Sequence, residues 1–172
     1  IFLVGLTASG KTTLGKLLAK RLGLSFVDTD HTIEERSGVS VRIIFDVEGE
    51  AAFRDRESAV LNNLSAQAGL VVATGGGCVL RPENRAILNQ SGLVVFLDPD
   101  LETQLKRTEG DRKRPLLQNV DRHSFLKQMK QERDPLYREV AKVVLAVDNR
   151  PGKKMLEVLL RTLLEQQWVS EE

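Results

Sequence analysis

The chain has 172 residues, 41% of them apolar and 28% charged, which suits one globular domain with its own core and falls short of two. Lys and Arg number 25 and Asp and Glu 24, and the resulting net charge of +1 excludes binding to nucleic acid by bulk electrostatics. A single cysteine, Cys78, excludes an internal disulfide framework and fits a reducing compartment, and no apolar run approaches the roughly 20 residues that a membrane helix needs. The opening Ile1-Phe2-Leu3-Val4, in place of a methionine, reads as a trimmed N-terminus that could have carried a targeting segment.

The first element in chain order is a strand over Ile1 to Val4, followed by a helix over Lys11 to Leu22 with Leu14, Leu17, Leu18 and Leu22 at helical spacing. Strands follow at Ser25 to Val27, Leu70 to Ala73, Leu93 to Leu97 and Val143 to Val147. These runs lack polar alternation, which predicts strands buried on both faces of a parallel sheet. Further amphipathic helices are expected over Glu50 to Ala66, with Phe53, Leu61 and Leu64 on one face, and over Met155 to Leu164. The alternation of strand and helix implies βαβ crossovers and an α/β sandwich.

Between the first strand and its helix lies Gly5-Leu6-Thr7-Ala8-Ser9-Gly10-Lys11-Thr12, a full match to the phosphate-binding loop pattern G-x-x-x-x-G-K-[ST]. Such a loop aims backbone N–H groups and a helix dipole at phosphate oxygens. Lys11 is expected to reach the β- and γ-phosphates, and the Thr12 hydroxyl to ligate Mg²⁺. The bland alternative is a Gly-rich turn and nothing more. Asp28-Thr29-Asp30 comes next, at a strand end where both carboxylates could point to one side. It reads either as a metal and substrate pair or as the cap of a helix starting near His31. Arg54 can meet Glu57 and Glu50 on one helix face, as a surface ion pair or as a rigid arginine clamp for a substrate carboxylate. Gly75-Gly76-Gly77 makes sense where backbone approaches a ligand closely, with Cys78 beside it as a small buried filler. The charge run from Lys106 to Leu117 is either a solvated loop or a mobile lid, and it lacks the aromatics of a nucleic-acid patch. Asp134-Pro135 predicts a helix end or turn, and Arg133 beside it is a second anion clamp or a solvated residue.

In their order and spacing these motifs, together with Arg114-Pro115-Leu116-Leu117 and Glu132 to Arg138, resemble the shikimate kinase family from Gly5 to about Arg150. The resemblance implies a three-layer α/β/α P-loop fold, with a five-stranded parallel sheet in order 2-3-1-4-5 and a mobile lid. It implies a single kinase domain over 1–172, with a shikimate-binding region at about 30–60 and the lid at about 108–120. It implies transfer of the ATP γ-phosphoryl group to the 3-hydroxyl of shikimate, in aromatic amino-acid and chorismate biosynthesis. By position, Lys11, Asp30 and Arg114 resemble the catalytic set. Gly5, Ala8, Ser9, Gly10, Lys11, Thr12, Thr13, Arg107, Arg114 and Arg150 resemble the nucleotide contacts. Asp30, Arg54, Gly75, Gly76, Gly77 and Arg133 resemble the shikimate contacts, and Thr12 and Asp28 the Mg²⁺ side. The expected partners are ATP and shikimate, without nucleic acid or membrane. The expected state is a monomer in the cytoplasm, or in the plastid stroma had a transit peptide been trimmed. One departure is Ala8, where the family usually has glycine; its Cβ is harmless at negative φ and costly at positive φ. Two other readings share some of these residues: a gluconate-type P-loop kinase, and a kinase-like binding protein that has lost activity.

Overall fold

The computed structural model describes residues 1–109 and 121–169. Strands β1 (Phe2–Val4), β2 (Ser25–Asp28), β3 (Leu70–Ala73), β4 (Val94–Pro99) and β5 (Val143–Val147) form one parallel sheet in the order β2-β3-β1-β4-β5. All four pairings are parallel, with Phe2 of β1 in register with Val72 of β3 and Val94 of β4. The helices described are α1 (Lys11–Leu22), α2 (Thr29–Ser37), α3 (Val41–Ser65), α4 (Pro82–Gln90), α5 (Leu101–Thr108), α6 (Arg122–Val140) and α7 (Gly152–Glu165). The expected α/β sandwich and its strand order are both present.

Side chains alternate across the sheet, and each face has its own core. Phe2, Val4, Val72, Val94 and Phe96 pack against Phe53 and Leu61 of α3, Leu88 of α4 and Tyr137 of α6. Leu3, Val71, Val95 and Leu97 pack on the other face against Leu14 and Leu18 of α1 and Met155, Leu159 and Leu163 of α7. The central strands β1, β3 and β4 are thus covered on both sides, as their continuous apolar runs predict. The outer strands depart from that expectation. β5 alternates between buried and exposed, with Val144 turned to solvent, and β2 is only half-buried. An edge strand has one neighbour and outruns the helices that cover the sheet's middle, so its apolar content overstates its burial.

Local chemistry sets the helix ends. Gly10, at φ 95°, opens α1, and Gly23, at φ 65°, closes it with its N–H on the Ala19 carbonyl. Asp28 caps α2 and Asp100 caps α5, each accepting from backbone N–H groups of the first turn. Asp30 therefore sits in the first turn of α2, and its carboxylate reaches the crevice from a helix and not from a strand end as expected. The long α3 breaks at Gly49 (φ 86°, ψ 172°), so the expected helix from Glu50 is its second half.

Two further expectations need correcting. Pro135 neither ends α6 nor makes a turn, because the helix runs on to Val140. The hydrogen bond lost at Pro135 is offset by anchors on either side: Leu126, Tyr137 and Val140 are buried, and Lys130 bridges Asp98 and Asp134 at 2.9 Å each. The charge run is not one loop, since Lys106 and Arg107 belong to α5. The rest of that run, with Arg114 and all but the first two positions of the expected lid, lies outside the described residues.

Candidate active site

The loops that follow β1 and β3 and the helices that follow β2 and β4 meet at the carboxyl edge of the sheet, where open α/β sheets bind their ligands. After β1, the glycine loop takes left-handed backbone conformations at Gly5 (φ 143°) and Gly10 (φ 95°). A Cβ on Gly5 would stand 2.6 Å from the Leu97 carbonyl oxygen, so glycine is required there for packing as well as for φ. Ala8 lies at φ 59°, the costly case for a side chain at this position. Left-handed backbone costs a non-glycine residue about 1–2 kcal/mol.

Helix α5 holds that strained segment from outside. Gln104 Nε2 donates to the Thr7 carbonyl at 3.2 Å, and Arg107 Nη1 donates to the carbonyls of Ala8 and Ser9, each at 3.2 Å. Arg107 Nη2 also donates to the Asp148 carbonyl at 2.6 Å. Three consecutive loop carbonyls are thereby tied to one helix, which leaves the loop N–H groups to face an anion. Lys11 Nζ donates to the carbonyls of Gly5 and Leu6 at 2.7 and 2.8 Å and to Ser9 Oγ at 3.2 Å. Beside the loop lies a groove of about 320 Å³ lined by Gly10, Thr13, Arg107, Val147, Arg150 and Met155 among others. Its size and mixed lining suit a planar base. Arg150 flanks it, paired with Asp148 at 2.7 Å.

In the Asp-Thr-Asp segment, Asp28 fills the capping role and still turns one oxygen toward the phosphate loop. One oxygen of Asp28 caps α2, while the other accepts from Thr12 Oγ1 at 2.9 Å. A hydroxyl and a carboxylate thus converge beside the phosphate loop. They form a hard-oxygen pair of the kind that suits Mg²⁺, which is usually held by few protein groups together with phosphates. Asp30 is pushed up to about 6, chiefly by burial and then by Asp28 and Glu57, with Lys11 and Arg54 opposing. At neutral pH it is largely ionised yet still able to take a proton.

The geometry of the turn after β3 explains Gly75 and Gly77. A Cβ on Gly77 would collide with the Arg54 guanidinium, and one on Gly75 would lie 2.5 Å from Glu57 Oε1 and 2.8 Å from Asp30 Oδ1. The close approach expected of this triplet is therefore first of all to the charged side chains of the site. Arg54 donates through Nη1 to Glu57 at 2.8 Å and through Nη2 to Glu50 at 3.0 Å. This is no surface pair: the Glu57 side chain is 0% exposed and that of Arg54 13%. Burial works against the Arg54 charge, but Glu57 and Glu50 outweigh it and hold the guanidinium above its ordinary range. Burial raises Glu57, opposed by Arg54, Arg81 and Arg133. Arg133 on α6 thus joins Arg54 around one buried carboxylate.

Asp30 Oδ1, Glu57 Oε1 and Arg133 Nε are buried without a hydrogen-bond partner among the described residues. Buried polar atoms seldom go unpaired, and this cluster offers both acceptors and a donor to a polar ligand. Cys78 is buried beside it, and burial pushes its thiol well above the ordinary range, as befits the filler expected. Sequence reasoning left Glu57, Gln104 and Tyr137 outside the candidate site. The Arg54–Glu57 spacing could have included the first; Tyr137 stands in the Glu132 to Arg138 motif with no role read for it, and Gln104 acts across the fold with no local signal.

The family model described as Shikimate kinase matches residues 7–164. A shikimate kinase of Pseudomonas paraeruginosa is 49% identical over 163 residues, covering 95% of each chain. One of Vibrio cholerae is 46% identical over 165 residues, covering 96% of this chain and 95% of its own. Among solved structures, the shikimate kinase from Acinetobacter baumannii in complex with shikimate is similar with a TM-score of 0.92 at 42% identity, covering 96% of this chain and 93% of its own.

Proposed function

The chain belongs to the shikimate kinase family, and on that premise we propose that it transfers the γ-phosphoryl group of ATP to the 3-hydroxyl of shikimate, giving shikimate 3-phosphate and ADP. One observation carries the reading. The unpartnered polar atoms of Asp30, Glu57 and Arg133 gather with Arg54 around a glycine turn, next to a complete phosphate loop. A small hydroxylated carboxylate complements that inventory: arginines for the carboxylate, an aspartate for a hydroxyl, and little apolar surface.

In this reading the loop N–H groups of Gly5 to Thr13 cradle the phosphates, and the Lys11 ammonium turns from the loop carbonyls to the transferred phosphoryl oxygens. The groove with Arg107 and Arg150 takes the base. Thr12 and Asp28 would hold Mg²⁺, which supplies charge neutralisation at the phosphates. Arg54 and Arg133 bind and orient the shikimate carboxylate, Gly75 to Gly77 close over its ring, and Asp30 accepts the hydrogen bond, then the proton, of the attacking hydroxyl. Because the phosphoryl transition state is loose, positioning and charge stabilisation are the protein's main tasks. Arg114 and the segment at about 108–120 are proposed to close over the phosphates.

We further take the enzyme to be a cytoplasmic monomer with ATP and shikimate as its partners. A lone buried cysteine and the bacterial origin of its relatives support that reading. Among the described residues, no helix is long and apolar enough to cross a membrane. A coupled assay for ADP with shikimate, ATP and Mg²⁺, run beside gluconate as acceptor, tests the function. Turnover with gluconate and none with shikimate would overturn it.

A further inference from the structure

Tyr137 is the chain's only tyrosine. It lies in the second half of α6, one turn beyond Arg133, fully buried and stacked on Phe96 of β4 with ring centroids 5.0 Å apart. Its hydroxyl donates to the carbonyl of Gly76. That carbonyl is the one in the glycine turn that the backbone leaves to other partners. The Gly75 carbonyl accepts from the Cys78 N–H at 3.1 Å, the Gly77 carbonyl from the Leu80 N–H at 3.0 Å, and the Gly75 N–H donates to Thr29 at 3.0 Å.

The phosphate loop lies along the other side of the turn. A Cβ on Gly76 would touch the Thr7 amide nitrogen at 3.4 Å and the Gly5 carbonyl oxygen at 3.7 Å. Gly76 therefore lies between the phenol and the phosphate loop. Across a trans peptide the N–H points opposite to the C=O. Fixing the Gly76 carbonyl on the phenol turns the Gly77 N–H to the opposite face of the turn. Arg133 stands one turn before Tyr137 on α6.

We propose that Tyr137 is a positioning residue for the acceptor: its hydroxyl sets the Gly76–Gly77 peptide beside the phosphate loop. The proposal rests on the shikimate kinase reading. It goes beyond that reading by giving this role to a side chain enclosed behind the turn. The phenol is held protonated by burial, above all else, and so remains a donor at every working pH.

The test is Tyr137→Phe, which keeps the ring and its stacking. The shikimate KM is expected to rise roughly 5- to 30-fold, the factor that 1–2 kcal/mol commands, while the ATP KM stays within about twofold. A structural role alone would lower Tm and leave both KM values in place, and an unchanged shikimate KM in the folded variant overturns the proposal. Should the variant fail to fold, 3-fluorotyrosine incorporated at this single position decides. A ¹⁹F resonance that shifts to saturation with shikimate supports the proposal, and a fixed resonance overturns it. The wild type is assayed alongside: no turnover of shikimate there would overturn the kinase reading and the proposal with it, whereas normal turnover with an unmoved variant overturns the proposal alone.

Discussion

The two sides of the crevice, to which the proposed function assigns the nucleotide and the acceptor, are built from different materials. On the nucleotide side the working groups are backbone: left-handed glycines, one left-handed alanine, and carbonyls pulled aside by Gln104 and Arg107. On the acceptor side they are charged side chains packed against glycines that have no room for a Cβ, with Glu57 fully buried beneath Arg54. A phosphate chain presents many equivalent oxygens and is met by an array of N–H dipoles. A small chiral acid presents one carboxylate and a few hydroxyls, and is met by individual side chains with fixed partners. The first half stores strain in its backbone and the second stores charge in low dielectric.

The largest effects test the charge side. Asp30→Asn should lower kcat by about 10²–10⁴-fold, the range for losing a general base, while leaving the ATP KM nearly unchanged. In the wild type, kcat/KM should fall on the acid side of about pH 6, because protonation removes the accepting carboxylate. That limb should flatten in the variant. The same shift has a stability sign. Between the unfolded value near 3.8 and the folded value of about 6, the native state binds more proton than the unfolded state. Asp30's contribution to stability is therefore complete at low pH and is lost as pH rises through about 6. At pH 7 the Asn variant should melt higher than the wild type while turning over poorly. A lower Tm together with an unmoved acid limb would remove Asp30 from the role of base.

Lys11→Ala tests the nucleotide side. Removing the ammonium from the developing phosphoryl charge should lower kcat about 10²–10³-fold, as loss of one electrostatic donor does elsewhere. A variant with half the wild-type rate would mean that the loop backbone alone carries the phosphates. Arg54→Lys sharpens the contrast by a smaller step. A point charge cannot reproduce a planar fork held by Glu57 and Glu50, so the shikimate KM should rise roughly tenfold with ATP binding spared. If the ATP KM rose instead, Arg54 would belong to the other half of the crevice.

The same contrast explains what could be read from the chain alone. The nucleotide side is contiguous, from Gly5 to Thr13, and the strand and helix around it are legible because apolar runs and a glycine pattern are local. The proposed acceptor side is dispersed over α2, α3, the glycine turn and α6, and only the joint order of weak motifs suggests it. Edge exposure of β5 was hidden because burial depends on neighbours, not on composition. Pro135 misled because a local breaker was outweighed by packing on both sides of it. Gln104 was silent, and Tyr137 had no legible role within its motif, because each reaches a carbonyl from across the fold, Gln104 97 residues and Tyr137 61 residues away along the chain.

The smallest effect probes strain itself. Ala8→Gly removes a Cβ from a residue at φ 59°. Relief of the left-handed cost is worth about 1–2 kcal/mol. Glycine's freer unfolded state takes back roughly 0.4–1 kcal/mol of that. The net gain should be about 0.5 kcal/mol, or roughly 1–2 °C in Tm for a chain of this size. The effect on ATP should be smaller still. Gln104 and Arg107 already hold the carbonyls of Thr7, Ala8 and Ser9, so the loop keeps its shape with either residue. The ATP KM should therefore move less than twofold in Ala8→Gly, and more when Gln104→Leu releases one of those carbonyls. A tenfold fall in the ATP KM of the single variant would show that the methyl group displaces the loop from its binding shape, and that the grip of α5 is too weak to overrule it.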